Sequence, residues 1–211
     1  MQVWFLEIIS KNFCIVLSSP SGAGKTSISK KLLLKDKSIS LSISCTTRPM
    51  RKGELNKKDY IFIKEDNFKN LISSNEFIEH ANVFGYKYGT LRKNIDKLFN
   101  KKKDVLFDID WQGYQQLKQS NLEVVGIFIL PPSKNELVNR LKTRARDTSE
   151  EMKKRMKLVQ NEISHFPEYD YVVVNKNLTE CVDQIMSIIQ SERLKKSRLI
   201  DLTKFINKFR T

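Results

Sequence analysis

The chain has three cysteines and two histidines in 211 residues. Cys14, Cys45 and Cys181 are an odd number, lie far apart and lack metal-ligand spacing. That argues against a disulfide framework and points to a reduced, cytoplasmic setting. His80 and His165 have no partner at a useful spacing, so neither reads as catalytic. No apolar run approaches the roughly 20 residues that span a bilayer, so no membrane partner is expected. The opening "MQVWFLEIISKNF" lacks a basic start and a small-residue cleavage site, and reads as a short N-terminal extension rather than a signal peptide. No internal repeat and no low-complexity linker divides the chain, and its length suits one well-buried domain.

Positive charge is in excess, with 38 Lys and Arg against 24 Asp and Glu, a formal net charge of +14. Such a balance invites a nucleic-acid partner. The lysines are spread over the whole chain, however, and runs such as "KKK" at 101–103 are of the solvated kind. No basic stripe interleaved with aromatics occurs. The expectation is therefore no nucleic-acid partner, and a protein that handles polyphosphates accounts for the charge.

Short β-rich apolar runs alternate with helical patterns. "FCIVLSS" (13–19), "SLSIS" (40–44), "DVLFDID" (104–110), "VVGIFIL" (124–130) and "YVVVN" (171–175) read as buried strands. Helical spacing covers 25–34, 112–119, 134–145, 149–165 and 178–195. The alternation predicts an α/β fold, a parallel sheet covered by helices on both faces. Residues 45–98 depart from it, with short aromatic segments that predict a small mixed β insertion. Residues 138–158 are dense in charge and predict a helical flap. The core is then 12–44, 99–137 and 159–195, and the amphipathic tail 196–211 would cap it or meet a second subunit.

The first strand leads into "SSPSGAGKTS" (18–27), which is one residue short of the phosphate-loop pattern G-x-x-x-x-G-K-[ST]. Ser19 stands where the first glycine belongs. The positions expected to face a phosphate, Gly22 to Thr26, are intact, followed by a helix whose N-terminus favours an anion. Lys25 would neutralise the β- and γ-phosphates and the Thr26 hydroxyl would ligate Mg²⁺. Pro20 pre-fixes φ and partly offsets any cost of Ser19. Further on, "SCTTRPMRKGELNKKDY" (44–60) sets Arg48 and Arg51 beside Ser44 and Tyr60, which suits an oxyanion clamp.

With these segments in order, and with "FIE" (77–79), "YKYGT" (86–90) and "DIDWQG" (108–113), the sequence resembles the guanylate kinase family from about 12 to 195. The departures are Ser19, Lys57 and Lys87, at positions where the family has glycine, frequent glycine and a frequent aromatic. The resemblance implies a P-loop nucleoside monophosphate kinase fold with a GMP-binding insertion and a lid. It implies ATP and GMP as substrates, dGMP as an alternative acceptor, Mg²⁺ as cofactor, and a monomer or homodimer.

By the same resemblance, Ser44, Arg48, Arg51, Tyr60 and Tyr88 hold the GMP phosphate, and Glu79, Thr90 and Asp110 read guanine. A carboxylate at Glu79 can accept from both N1–H and the 2-amino group, which adenine lacks. A site built on such bonds rejects an analogue without them by about 10⁴-fold or more. ATP falls to Ser21, Gly22, Ala23, Gly24, Lys25, Thr26 and Ser27, with Arg140 and Asn175 nearby. Asp108 assists the metal with Thr26. Arg144 and Arg155 close over the phosphates, completing a catalytic set with Lys25, Arg48 and Asp108. Arg146 has no counterpart and reads as solvated surface. A scaffold module that has lost catalysis is opposed by the retention of Lys25, Thr26, Asp108, Arg144 and Arg155. A kinase for another base is opposed by Glu79, Thr90 and Asp110 together.

Overall fold

The structure is a computed structural model that describes residues 9–144 and 149–210, with the side chains of 142–155 excepted. The chain begins with β1 (Cys14–Ser18), α1 (Lys25–Lys35), β2 (Ile39–Leu41), β3 (Cys45–Thr46), β4 (Ile61–Phe62) and α2 (Glu65–Ser73). It continues with β5 (Phe77–Val83), β6 (Tyr86–Leu91), α3 (Arg92–Asn100), β7 (Asp104–Asp108), α4 (Trp111–Lys118) and β8 (Val124–Leu130). It closes with α5 (Lys134–Arg144), α6 (Ser149–Ser164), β9 (Tyr171–Val174), α7 (Leu178–Arg193) and α8 (Leu202–Asn207).

One sheet has the order β2-β7-β1-β8-β9, and all its pairings are parallel. Because side chains alternate along a strand, β1 feeds two separate cores. Ile15 and Leu17 pack with Ile28, Leu32, Ile185 and Ile189 from α1 and α7. Cys14 and Val16 pack on the other face with Phe107, Tyr114, Leu117 and Phe128. Burial on both faces is why β1, β7 and β8 read as continuous apolar runs. By contrast, β9, expected to be buried, is an edge strand that leaves Val172 and Val174 exposed. The register sets Leu17 opposite Asp108. The carboxyl ends of two neighbouring strands, and the loops that follow them, therefore open on the same edge, where ligands of such sheets bind.

The second sheet, β4-β3-β6-β5, is mixed. Its own small core holds Cys45, Phe68, Phe77 and Leu91. The strand expected at 40–44 is shorter and earlier, β2 at Ile39–Leu41, and the next strand, β3, begins only at Cys45 in the other sheet. β2 ends at Leu41, and Ser42 still donates its N–H to Leu106 O at 2.8 Å before the chain crosses to β3. Two helices within or beside the insertion, α2 and α3, were not expected. Their signal is present in Phe68, Leu71 and Ile72, and in Ile95, Leu98 and Phe99, each an i, i+3, i+4 set. Both are only nine residues long, which let the aromatic strand pattern around them dominate.

Helices α5 and α6 pack on each other through Leu137, Leu141 and Val159, with Met156 and Ile163 against them. The side chains of Arg144 and Arg155, and the whole of Arg146, lie outside the described residues.

Candidate active site

The loop between β1 and α1 is shaped by Gly22 (φ 92°) and Gly24 (φ 98°), both in the left-handed region. Gly24 also has no room for a side chain, since a Cβ there would stand 2.6 Å from Asn175 Nδ2. Ser19 is not among the residues with positive φ, so the missing first glycine costs no left-handed strain. Its hydroxyl donates to Pro20 O at 3.1 Å.

The loop's N–H groups divide into two sets. Ala23 N–H donates to Pro20 O at 3.1 Å, and Ser21 N–H to Glu162 Oε2 at 3.0 Å. Those of Gly22, Gly24, Lys25 and Thr26 have no protein acceptor among the described residues. Four open donors at a helix N-terminus form an anion cradle. Asn175, a strand-end residue expected near ATP, is buried and donates to Ala23 O at 2.7 Å, which fixes the loop from β9.

Lys25 Nζ lies 2.8 Å from Asp108 Oδ1 and donates to Ile109 O at 3.0 Å. Burial works against the Lys25 charge, but Asp108, with Glu162 and Asp110 nearby, outweighs it and holds the ammonium above its usual range. A carboxylate at the end of β7 and a lysine at the start of α1 meet because β1 and β7 are neighbours.

A cleft of about 1110 Å³ runs from this edge to the second sheet. Thr26, Ser27 and Asp108 line one side, and Ser44, Arg48, Arg51, Tyr60 and Tyr88 the other. Arg48 is buried, with Nε on Tyr88 Oη (3.2 Å), Nη1 on Pro49 O (2.7 Å) and Nη2 on Glu54 Oε1 (2.6 Å). Three of the guanidinium's five donors are thus engaged, leaving two for a ligand. Its Cζ also lies over the Tyr60 ring, 5.4 Å from the ring centre. Glu54, which the motif reading passed over, holds this arginine in place. Its second oxygen accepts from Arg51 N at 2.7 Å, so one carboxylate braces both arginines. The signal was its place three residues after Arg51, inside the same turn.

Glu79 is buried, and its Oε1 has no hydrogen-bond partner among the described residues. Burial raises its pKa to about 7, against the pull of the Thr90 hydroxyl and with a further push from Asp110. Glu79 Oε2 rests against the first turn of α4, where a Cβ on Gly113 would come within 2.6 Å of it. Thr90 Oγ1 lies 3.3 Å from Ser42 Oγ and 3.2 Å from Ser44 Oγ. Asp110 is the N-cap of α4. Its Oδ1 accepts from the N–H of Gln112 (3.1 Å) and Gly113 (3.2 Å), and its Oδ2 from Gln112 Nε2 (2.8 Å). Three donors of the first turn thus hold its carboxylate in place, and a carboxylate has about four acceptor positions, so one is left over.

A smaller recess of about 430 Å³ joins Gly22, Gly24, Ser27, Arg140, Asn175 and Lys176 on the far side of the loop. Arg140 Nε donates there to Glu136 Oε1 at 2.7 Å.

Open loop amides at the carboxyl edge of a parallel sheet, with a lysine and an acidic strand end beside them, define a P-loop nucleotide-binding protein. The family model for guanylate kinase matches residues 11–192. A guanylate kinase from Paramagnetospirillum magneticum is 46% identical over 201 residues, covering 95% of this chain and 94% of that protein. One from Sphingopyxis alaskensis is 50% identical over 191 residues, covering 90% and 87%. The crystal structure of guanylate kinase from Anaplasma phagocytophilum superposes with a TM-score of 0.78 at 38% identity, covering 95% of this chain and 96% of that one. The chain belongs to the guanylate kinase family.

Proposed function

We propose that the chain transfers the γ-phosphoryl group of ATP to GMP, giving ADP and GDP, and accepts dGMP in place of GMP. The observation that carries this reading is the single cleft lined by the phosphate loop on one side and by Arg48, Arg51, Tyr60 and Tyr88 on the other. Two phosphate-binding groups facing one space suit a donor and an acceptor placed end to end.

In this reading the open amides of Gly22, Gly24, Lys25 and Thr26 hold the ATP phosphates, and the recess beside Arg140 and Asn175 takes its nucleoside. Lys25 leaves Asp108 for the β- and γ-phosphates, so the ion pair of the free protein is the resting arrangement of two working groups. Thr26 and Asp108 offer oxygen donors in the same cleft, which suits Mg²⁺, a hard cation that takes one or two protein oxygens and otherwise phosphate and water. When bound, Mg²⁺ supplies charge neutralisation at the phosphate oxygens. The two free donors of Arg48, with Arg51, hold the GMP phosphate, while Glu54 keeps both in place. That phosphate is already an anion and needs no strong base. The remaining work is alignment and charge neutralisation, to which Arg144 and Arg155 contribute from 138–158 acting as a lid. The insertion 45–98 carries the acceptor site, and the core 12–44, 99–137 and 159–195 the donor site.

Glu79 selects guanine by accepting from N1–H and the 2-amino group, supported by Thr90 and by Asp110 at the start of α4. Every proposed contact comes from one chain, so a monomer or a homodimer serves equally. No helix among the described residues is long and apolar enough to cross a membrane. The three cysteines are free and buried, which suits the reducing cytoplasm proposed as its location.

The test is a coupled assay of ADP formation with GMP, dGMP, AMP, CMP and UMP as acceptors. GMP and dGMP should react, and AMP should be poorer by several orders of magnitude. Comparable rates with AMP would overturn the reading.

A further inference from the structure

The phosphate loop is held from two sides, and the two sides belong to different parts of the chain. Its exit half is held by Asn175 through Ala23 O. Its entry half leans on α5 and α6. A Cβ on Gly22 would meet Leu137 Cδ1 at 3.2 Å and Leu141 Cδ2 at 3.4 Å, and these leucines pack on Val159. One turn further along α6, Glu162 accepts the Ser21 N–H at 3.0 Å, across 141 residues of sequence.

We propose that Glu162 is a positioning residue: from α6 it fixes the entry half of the phosphate loop and so sets ATP binding without touching ATP. The Ser21 amide is part of the loop, yet it points to a carboxylate, and an anion in that place cannot share the donor with a phosphate. The donor is therefore structural, and a half-buried N–H of this kind is best satisfied by an acceptor within the protein. Glu162 is the acceptor the described residues supply. Without it, Ser21 can turn, and Gly22, the next residue and the first open donor, turns with it.

Burial, with a smaller push from Asp110, raises the Glu162 carboxyl above its ordinary range, and the Ser21 N–H and Lys25 pull against that rise. Helix α6 also carries Arg155 in its first half and Glu162 near its end. A displacement of α6 would thus be felt at the loop through one hydrogen bond and the leucine contacts.

The inference rests on residues 21–27 being the ATP site. It is tested with Glu162→Ala, Glu162→Gln and Glu162→Asp in the full chain. ATP and GMP binding are titrated separately, and KM for each is measured with the other saturating. Wild-type protein that failed to bind ATP would sink the site assignment itself. With ATP binding established, Glu162→Ala should weaken ATP about fivefold to tenfold while GMP binding alone stays within twofold. Glu162→Gln keeps an acceptor oxygen at the same reach and should stay within threefold of wild type. Glu162→Asp withdraws the acceptor by one methylene and should reproduce the split even if the alanine variant does not fold. ATP affinity within twofold of wild type in the alanine and aspartate variants overturns the proposal. So does equal weakening of both nucleotides, or a glutamine variant as impaired as the alanine one.

Discussion

The five-stranded sheet is built from runs such as VVGIFIL, buried on both faces, whereas the four-stranded sheet uses short aromatic segments and buries Arg48, Glu79 and Thr90 among them. The first presents a ligand mainly with backbone N–H groups, at a loop whose shape depends on two glycines and on hydrogen bonds to Asn175 and Glu162. The second presents side chains that hydrophobic burial alone would exclude. One region, in the proposed reading, holds phosphate through backbone geometry, which should tolerate a changed residue such as Ser19. The other, in the proposed reading, recognises a base through a carboxylate that is costly to bury, and such a group leaves little freedom for substitution.

The largest effect expected from this contrast is at the one charged side chain the loop does supply. Lys25→Ala should lower kcat by about 10²-fold or more, because charge on the transferred phosphoryl goes unneutralised. Steady-state rates with saturating ATP and GMP check this, and a loss below tenfold would mean that the amides alone carry the phosphate.

On the other side of the cleft, Glu79→Gln turns an acceptor into a donor facing guanine's own donors. kcat/KM for GMP should fall at least tenfold, with ATP binding unchanged. The same variant should be more stable at high pH. Glu79 ionises at about 7 in the folded chain against an ordinary 4.5. Below pH 4.5 both states hold the proton and nothing is lost. As pH rises to about 7 the unfolded chain releases the proton first, so wild type loses about 3 kcal/mol that the glutamine variant keeps. Denaturant titrations at pH 4.5 and 8 measure the difference, and parallel pH dependence in the two proteins would refute the buried, raised carboxylate.

Gly113→Ala places a methyl group against that carboxylate. It should raise KM for GMP several-fold and leave KM for ATP within twofold, although alanine favours a helix by roughly 1 kcal/mol over glycine. Equal KM values in variant and wild type would separate Gly113 from base reading.

The smallest effects compare two positions where the family has glycine. Lys57 sits at φ 64°, in the left-handed region, so Lys57→Gly should gain up to about 1 kcal/mol. Ser19 has no such φ, so Ser19→Gly should lose about 0.4–1 kcal/mol through a looser unfolded chain and change activity less than about threefold. Thermal melts and rates on the two variants side by side decide it. A tenfold gain in kcat for Ser19→Gly would make the serine a defect.

The phosphate loop, the strand ends and the arginine pair could be read from local sequence, because a glycine spacing, an apolar run or a hydroxyl beside an arginine is written within a few residues. The helices at 65–73 and 92–100 were written there too, in short i, i+3, i+4 sets overshadowed by neighbouring aromatics. Asp110 shows the limit from the other direction: its place in DIDWQG marks a site, but only the fold commits its carboxylate to the first turn of α4. The hydrogen bonds from Asn175 to Ala23 and from Ser21 to Glu162 span 152 and 141 residues. Nothing within either segment names its partner, since the meeting depends on strand order and helix packing. Sequence alone determined which groups are candidates to bind phosphate and guanine. Tertiary structure decided which of them are free to do so, because a polar group buried in a fold must find its partner wherever packing has placed one.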